Sequence, residues 1–307
     1  MIHIPMDVLE HFPVRRTKQQ KSGFIEAVQT YSNGLGYACK VEKGSFGSRN
    51  LIIGNPDSAK FLITAHYDTP AYMPFPNFIT PCNASLYFSY QFAVVLGMLL
   101  LSVLPGLLVY YVSDNSVLAF YAWYFSYLGL LALMMFGPAN PNNANDNTSG
   151  VVTLLSLAES LPEDKRDSVC FVLFDLEEMG LIGSKSYRKS HKAATDSQIV
   201  LNMDCVGDGN EIVAFPGKKL KAEQVKMERL SKICYDDNSK KVILHKKGFY
   251  IYPSDQRNFP YGVVIAAFKR GEHIGLYCDR IHTKKDTTLD EGNVNILRDR
   301  LLAVITD

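Results

Sequence analysis

Apolar residues recur in three rhythms along this chain, and each predicts a different element. In QKSGFIEAVQTYSNGLGY, Phe24, Ile25, Val28 and Tyr31 fall at helical spacing and Asn33-Gly34 supplies a stop, so the fold opens on an amphipathic helix. Short apolar runs bounded by turn residues follow: NLIIGN, KFLITAH, SVCFVLF, QIVLNMD and YGVVIAAF. Their length and β-branched content predict strands buried on both faces. Helical patterns alternate with them, notably SGVVTLLSLAESL, which stops at Pro162, and a segment from about Leu181 to Lys192. The alternation predicts an α/β fold with a mostly parallel central sheet and helices on both faces. There is no internal repeat or low-complexity tract.

The third rhythm is an absence of polarity. From Thr69 to Asn145 the only charged side chain is Asp114, and two uncharged stretches, Leu86 to Val112 and Ser116 to Phe136, are joined by Ser113, Asp114 and Asn115. As helices they would be about 40 and 32 Å long, against a bilayer core of about 30 Å. Tyr87 and Tyr90 near one end, with Tyr110, Tyr111, Tyr121 and Trp123 near the other, suit two interfacial belts. The expectation is an inserted two-helix hydrophobic hairpin, residues 72–138, whose segment 86–136 contacts a membrane, within a catalytic domain made of residues 1–71 and 139–307. A buried hairpin or an oligomer interface is the competing reading. No Lys or Arg flanks the hairpin closely enough to orient it.

Composition narrows the partners. With 32 basic and 31 acidic residues the net charge is +1, so no global field favours nucleic acid, and none is expected as a partner. The basic cluster Arg15, Arg16, Lys18 and Lys21 and another around Lys218, Lys219 and Lys221 are read as solvated faces. Six cysteines lack CxxC spacing and several sit in apolar runs, as reduced core thiols do. The amino terminus has no basic start followed by an apolar stretch and cleavage site. The expected location is therefore a membrane, with the catalytic part on the cytoplasmic side.

Candidate chemistry gathers at the ends of the apolar runs. AHYD places His66 and Asp68 after one strand, FDLEEMG places Glu177 and Glu178 after another, and NMD places Asp204 after a third. NDNTSG adds Asp146 before a helix, and IHTKKDT adds His282 near the carboxyl terminus. Ligands of open α/β sheets bind outside the carboxyl ends of the strands, so these groups should converge. Adjacent Glu177 and Glu178 beside an apolar strand repel each other and call for a cation.

In this order, HxD, DNxSG, FxxEExGLxGS, NxD, SD and HTxxDT resemble metallopeptidase family twenty-eight, which includes leucyl aminopeptidases, glutamate carboxypeptidases and glutaminyl cyclases. The resemblance runs from about His66 to Thr287, interrupted by the hairpin. It implies a zinc exopeptidase fold holding two Zn²⁺ and acting on peptides, most simply as an aminopeptidase. It implies that Asp146 bridges the ions, that His66 and Asp204 complete one shell, and that Glu178 and His282 complete the other. Glu177 would then be the general base, and Asp68 would hold the second nitrogen of His66.

One departure stands out: the family commonly has Ser-Asp-His before an aromatic, where this chain has Ser254-Asp255-Gln256-Arg257-Asn258-Phe259. That puts the substrate pocket in doubt, not the ligands. A glutaminyl cyclase, a carboxypeptidase or a non-catalytic membrane scaffold of the same fold are the rival readings, with Arg257, Arg270 and Arg280 as candidates for gripping a substrate carboxylate. Both flanks of the hairpin end close to ligand motifs, so its base is expected near the active-site rim.

Overall fold

A computed structural model of the chain describes residues 5–237 and 239–306. The five apolar runs are all strands, and the described residues contain five more. In chain order these are β1 (Cys39–Lys43), β2 (Arg49–Ile53), β3 (Phe61–His66), β4 (Val169–Phe174), β5 (Ile199–Met203), β6 (Glu211–Pro216), β7 (Tyr235–Asp236), β8 (Lys241–Leu244), β9 (Gly262–Gly271) and β10 (Gly275–Tyr277). They form one sheet in the order β1-β2-β4-β3-β5-β9-β6-β8-β7, with β10 paired to the far end of β9. The centre, β4-β3-β5-β9, is parallel as expected, whereas β1, β2 and the β6 side join through antiparallel pairs. The sheet as a whole is therefore mixed, and its parallel part is the part that positions the site.

The buried alternation explains why the central runs read as continuously apolar. Phe61, Ile63 and Ala65 of β3 face a layer formed by the helices α1 (Lys18–Gly34), α4 (Gly150–Ser160) and α6 (Glu291–Thr306). Leu62, with Cys170, Val172 and Phe174 of β4, faces the opposite layer, where Tyr187 of α5 (Ile182–Ser190) and Phe259 pack. Both faces are covered, so each strand position is apolar. Helix α1 is fixed at its start by a reciprocal cap: Gln20 N–H donates to Thr17 Oγ1 and Thr17 N–H to Gln20 Oε1.

The apolar insertion forms two long helices, α2 (Ala84–Ser113) and α3 (Ser116–Phe136), both long and apolar enough to cross a membrane. Among the described residues, most of the exposed large hydrophobic side chains lie on them. The competing reading of a hairpin buried within its own chain is overturned: among the described residues α3 has no buried side chain and α2 only Met98, Ser102 and Gly106, its base alone resting on the domain. The two helices cross closely at Gly106, where a Cβ would meet Ala119 O at 3.1 Å, the small-residue contact that lets apolar helices approach. Asp114 occupies the turn at the far tip, in a left-handed conformation.

The first basic cluster is only partly a solvated face: Lys18 is exposed, but two of its members are not. Arg15 is fully buried, and Lys21 is buried in an ion pair with Asp175. Arg15 Nε donates to Tyr67 O, and its terminal nitrogens reach Phe12 O, Asn143 Oδ1 and Thr148 Oγ1. Burial pushes its guanidinium down to about 10, with the nearby Asp68 and Asp146 opposing that shift. Next to it, Arg16 donates to Thr69 O and to Met135 O in the last turn of α3, where a cation also favours the helix dipole. Spacing alone concealed this, because a run of basic residues looks the same whether it points outward or stitches loops together. Arg15→Met is expected to cost about 3–5 kcal/mol of unfolding free energy, since it strands several buried acceptors. Urea denaturation of the variant checks this, and an unchanged midpoint would show that the network is idle.

Candidate active site

The parallel register brings the sequence-predicted groups together. His66 ends β3 opposite Phe174 of β4, and Thr64 pairs with Asn202 of β5, so His66 is level with Asp204. Glu177 and Glu178 follow β4 after a sharp turn at Leu176, whose φ is 55°. The turn is held by Asp175, which accepts from Leu176 N–H and Arg49 N–H while its own N–H donates to Asn50 Oδ1. Cys205, just after Asp204, and His282 itself also adopt left-handed φ, 58° and 64°. Non-glycine residues in this region carry strain, and here it collects around the candidate ligands.

Asp146 sits in the tight turn that opens α4, and the DNTSG residues each have a task there. Asn147 Nδ2 donates to Met203 O, while Asn147 Oδ1 accepts from Gly150 N–H and Cys205 N–H. Ser149 Oγ accepts from Val206 N–H. A Cβ at Gly150 would lie 2.4 Å from Asn147 Oδ1 and 2.6 Å from Met203 O, so only glycine fits. Asp286, the acid of HTKKDT, accepts from the N–H groups of Asn145 and Asp146 at 2.7 and 3.0 Å. Sequence reasoning named that motif for His282 and missed the role of its aspartate. Burial, reinforced by Asp146, raises the Asp286 carboxyl to about 7.

Around Asp146 the distances fall into two sets. Its Oδ1 lies 3.3 Å from His66 Nε2, which is 3.9 Å from Asp204 Oδ1. Its Oδ2 lies 3.2 Å from His282 Nε2, which is 3.5 Å from Glu178 Oε2. His66, Glu177 and Asp204 present ligand atoms within 4.8 Å of one another, as do His66, Asp146 and Glu178, and also Asp146, Asp204 and Cys205. All seven singled-out residues are thus in one place. Asp68 differs in detail from the expectation: it is 3.6 Å from His66 Nδ1, beyond hydrogen-bond reach, and its two oxygens accept from Glu177 N–H and Glu178 N–H. It orders the acidic pair at least as much as the imidazole.

The electrostatics are those of a cation site. Burial raises Glu177 and Glu178 well above the usual carboxylate range; each also feels neighbouring carboxylates, while His66 opposes the rise. Burial pulls the His66 imidazole down, but Glu177 and the Asp146, Asp204 and Asp68 carboxylates outweigh it and hold the pKa well above ordinary. Burial also raises Asp255 to about 7, against the pull of His66. Glu178 Oε1 is buried with no hydrogen-bond partner. Imidazoles and carboxylates converging with an unspent oxygen are the donor set that zinc takes, so the residues present fit such an ion.

Above these groups lies a cavity of about 100 Å³, walled by Asn77, Ile79, Tyr87, Tyr252, Pro253 and Ile281. Tyr87 belongs to the first turn of α2, so the hairpin base does lie at the active-site rim. None of the three candidate arginines lines the cavity: Arg270 is spent on Glu211, Arg280 lies against Asp208 and Thr288, and Arg257 is exposed. Gln256, where histidine was expected, is buried and donates to Tyr252 O.

A family model described as Peptidase family M28 matches residues 125–304, a span that carries Asp146, Glu177, Glu178, Asp204 and His282. The chain belongs to this peptidase family. His66 and Asp68 precede the hairpin and lie outside the matched span; β3 returns them to the site. Aminopeptidase YwaD of Bacillus subtilis is 31% identical over 144 residues, 41% of this chain but only 30% of that protein's length. A Zn-dependent exopeptidase from Parabacteroides distasonis superposes with a TM-score of 0.60 at 16% identity, covering 96% of this chain and 92% of that one. Porphyromonas gingivalis glutaminyl cyclase gives 0.59 at 15% identity, covering 96% and 93%. At such identities the structures establish a shared fold.

Proposed function

We propose that this M28 peptidase is a di-zinc exopeptidase that removes amino-terminal residues from peptides and is attached to a membrane by α2 and α3. The observation that carries the reading is the two-sided Asp146: one oxygen turned to His66, the other to His282, at nearly equal distances. In this reading His66 and Asp204 hold one ion, Glu178 and His282 hold the other, and Asp146 is shared. Zinc bound there supplies Lewis-acid polarisation of the scissile carbonyl. Glu177, beside the ligands and assigned to neither ion, takes a proton from the attacking water and delivers it to the departing amine. Asp68 and Asp286 orient the acidic pair and the Asp146 turn through backbone N–H groups. The domain division follows the same lines, residues 1–71 and 139–307 catalytic and 72–138 inserted. The six cysteines are all free, in keeping with a catalytic domain facing a reducing, cytoplasmic compartment.

The test pairs peptide trimming with metal analysis of the same sample. A free peptide and a carboxyl-amidated one should be shortened from the amino end, an N-acetylated one should not, and a chelator should abolish the reaction until Zn²⁺ is restored. Trimming of the acetylated peptide from its carboxyl end would make the protein a carboxypeptidase. Ring closure of an amino-terminal glutamine with release of ammonia, without hydrolysis, would make it a glutaminyl cyclase.

A further inference from the structure

The hairpin is built into the site rather than tethered beside it. Its entry segment runs antiparallel to the loop that carries His282: Met73 N–H donates to His282 O, Asn77 N–H to Ile281 O, and Ile79 and Cys278 exchange both backbone hydrogen bonds. The first turns of α2 are then pinned onto this segment. Asn83 Oδ1 caps the helix at Leu86 N–H, Tyr90 Oη donates to Pro76 O at 2.6 Å, and the Tyr90 ring packs edge-on against Phe78 at 5.3 Å. Between those two anchors lies Tyr87, half-buried, with its side chain lining the cavity above the candidate ligands. A residue held on both sides of a helical turn makes a wall with a defined position.

The size of the cavity says what that wall admits. Its polar floor is the ligand set, and its sides are Tyr87, Ile79, Tyr252 and Ile281, apolar surfaces suited to a hydrocarbon side chain. The free space between these walls and the ligand set is only about 100 Å³ and opens to solvent on one side, so the position of Tyr87 bears directly on the room beside the ligands. We propose that Tyr87 sets the upper size limit for the substrate's terminal side chain, so that the hairpin confers specificity as well as attachment, and that aliphatic side chains up to leucine are preferred over aromatic ones. The inference rests on the peptidase reading for what enters the cavity; the wall itself rests on geometry alone.

Binding separates the two. Leucine hydroxamate and phenylalanine hydroxamate are titrated calorimetrically into the full-length, zinc-supplemented protein in detergent, for wild type, Tyr87→Phe and Tyr87→Ala, with metal content measured on each. Wild type should favour the leucine compound by about tenfold or more, the scale on which a tight pocket discriminates by size. Tyr87→Ala should shift that ratio toward phenylalanine by about tenfold or more, while Tyr87→Phe should stay within about threefold of wild type. If Tyr87→Ala fails to fold, Tyr87→Leu keeps an apolar helical residue there and should shift the ratio in the same direction. An unchanged ratio in a variant with wild-type metal content overturns the proposal, as does the absence of binding by both compounds to metal-loaded protein. A shifted ratio in a protein that cleaves no peptide leaves the wall in place and removes the peptidase reading instead.

Discussion

Asp146→Ala should strip the protein of both metal ions at once and abolish hydrolysis. Every other ligand in the proposed set serves one ion, so its loss should weaken one site; Asp146 faces His66 through Oδ1 and His282 through Oδ2. The alanine leaves Glu177, Glu178 and Asp204 to repel one another without the carboxylate that ties the two halves together. Metal analysis should fall from about two zinc ions per chain to near zero, since structural and catalytic zinc affinity depends on a complete ligand set. Glu177→Gln is the contrast: it keeps the shape and the ions but removes the proton acceptor. The rate should drop by about 10² to 10⁴-fold, the usual span of general acid–base catalysis. If Asp146→Ala still binds two ions the bridge assignment is wrong, and equal metal loss from Glu177→Gln would move Glu177 into the ligand shell. The cluster His66, Glu177 and Asp204 makes that second outcome a physical alternative worth measuring.

The central strands were legible because burial on both faces leaves a run of apolar residues with no competing explanation, as in FLITAH and VCFVLF. The ligands followed from them, since parallel strands put their carboxyl ends at one edge. Strand β1, with only a mixed and partly exposed pattern, carried no such signal. Helix α6 was there to be read: Val294, Leu297, Leu301, Val304 and Ile305 keep a helical spacing and are all buried. What sequence could not carry was the direction of hydrogen bonds. Asp68 reads as the partner of the nearest histidine in sequence, two residues away, yet its oxygens are taken by backbone groups more than a hundred residues on. Arg15 is the same lesson in a basic residue: charge patterning says solvent, and only the fold shows the acceptors waiting for it. Tyr87 reads as part of an interfacial belt from its place near the end of an apolar stretch, and only the fold shows that it also lines the cavity above the ligands.

Shortening the hairpin should convert a membrane-bound protein into a soluble one without disturbing the site. Replacing residues 92–131 with a six-residue Gly-Ser linker retains Tyr87 and Tyr90 on the first turns of α2 and Met135, whose carbonyl Arg16 holds. Packed helix axes lie about 8–10 Å apart, and a flexible linker of that length spans about 13 Å, so the stumps need not separate. Each Leu, Ile, Phe or Val placed in a bilayer contributes about 0.3–0.6 kcal/mol on the insertion scale, and the removed segment holds most of the exposed ones. The single acid, Asp114, lies in the turn between the helices, where it escapes the cost of about 2.5–3.5 kcal/mol that a charge pays at a helix centre. A spanning hairpin also returns the chain to the side it left, as it must if His66 before it and Asp146 after it are to meet at 3.3 Å. Cell fractionation should therefore find the full-length protein in membranes and releasable only by detergent. The shortened protein should appear in the soluble fraction with its zinc content unchanged and its turnover of small soluble peptides within a fewfold of wild type. Full-length protein already soluble without detergent would make α2 and α3 an interface with another protein instead of a membrane anchor.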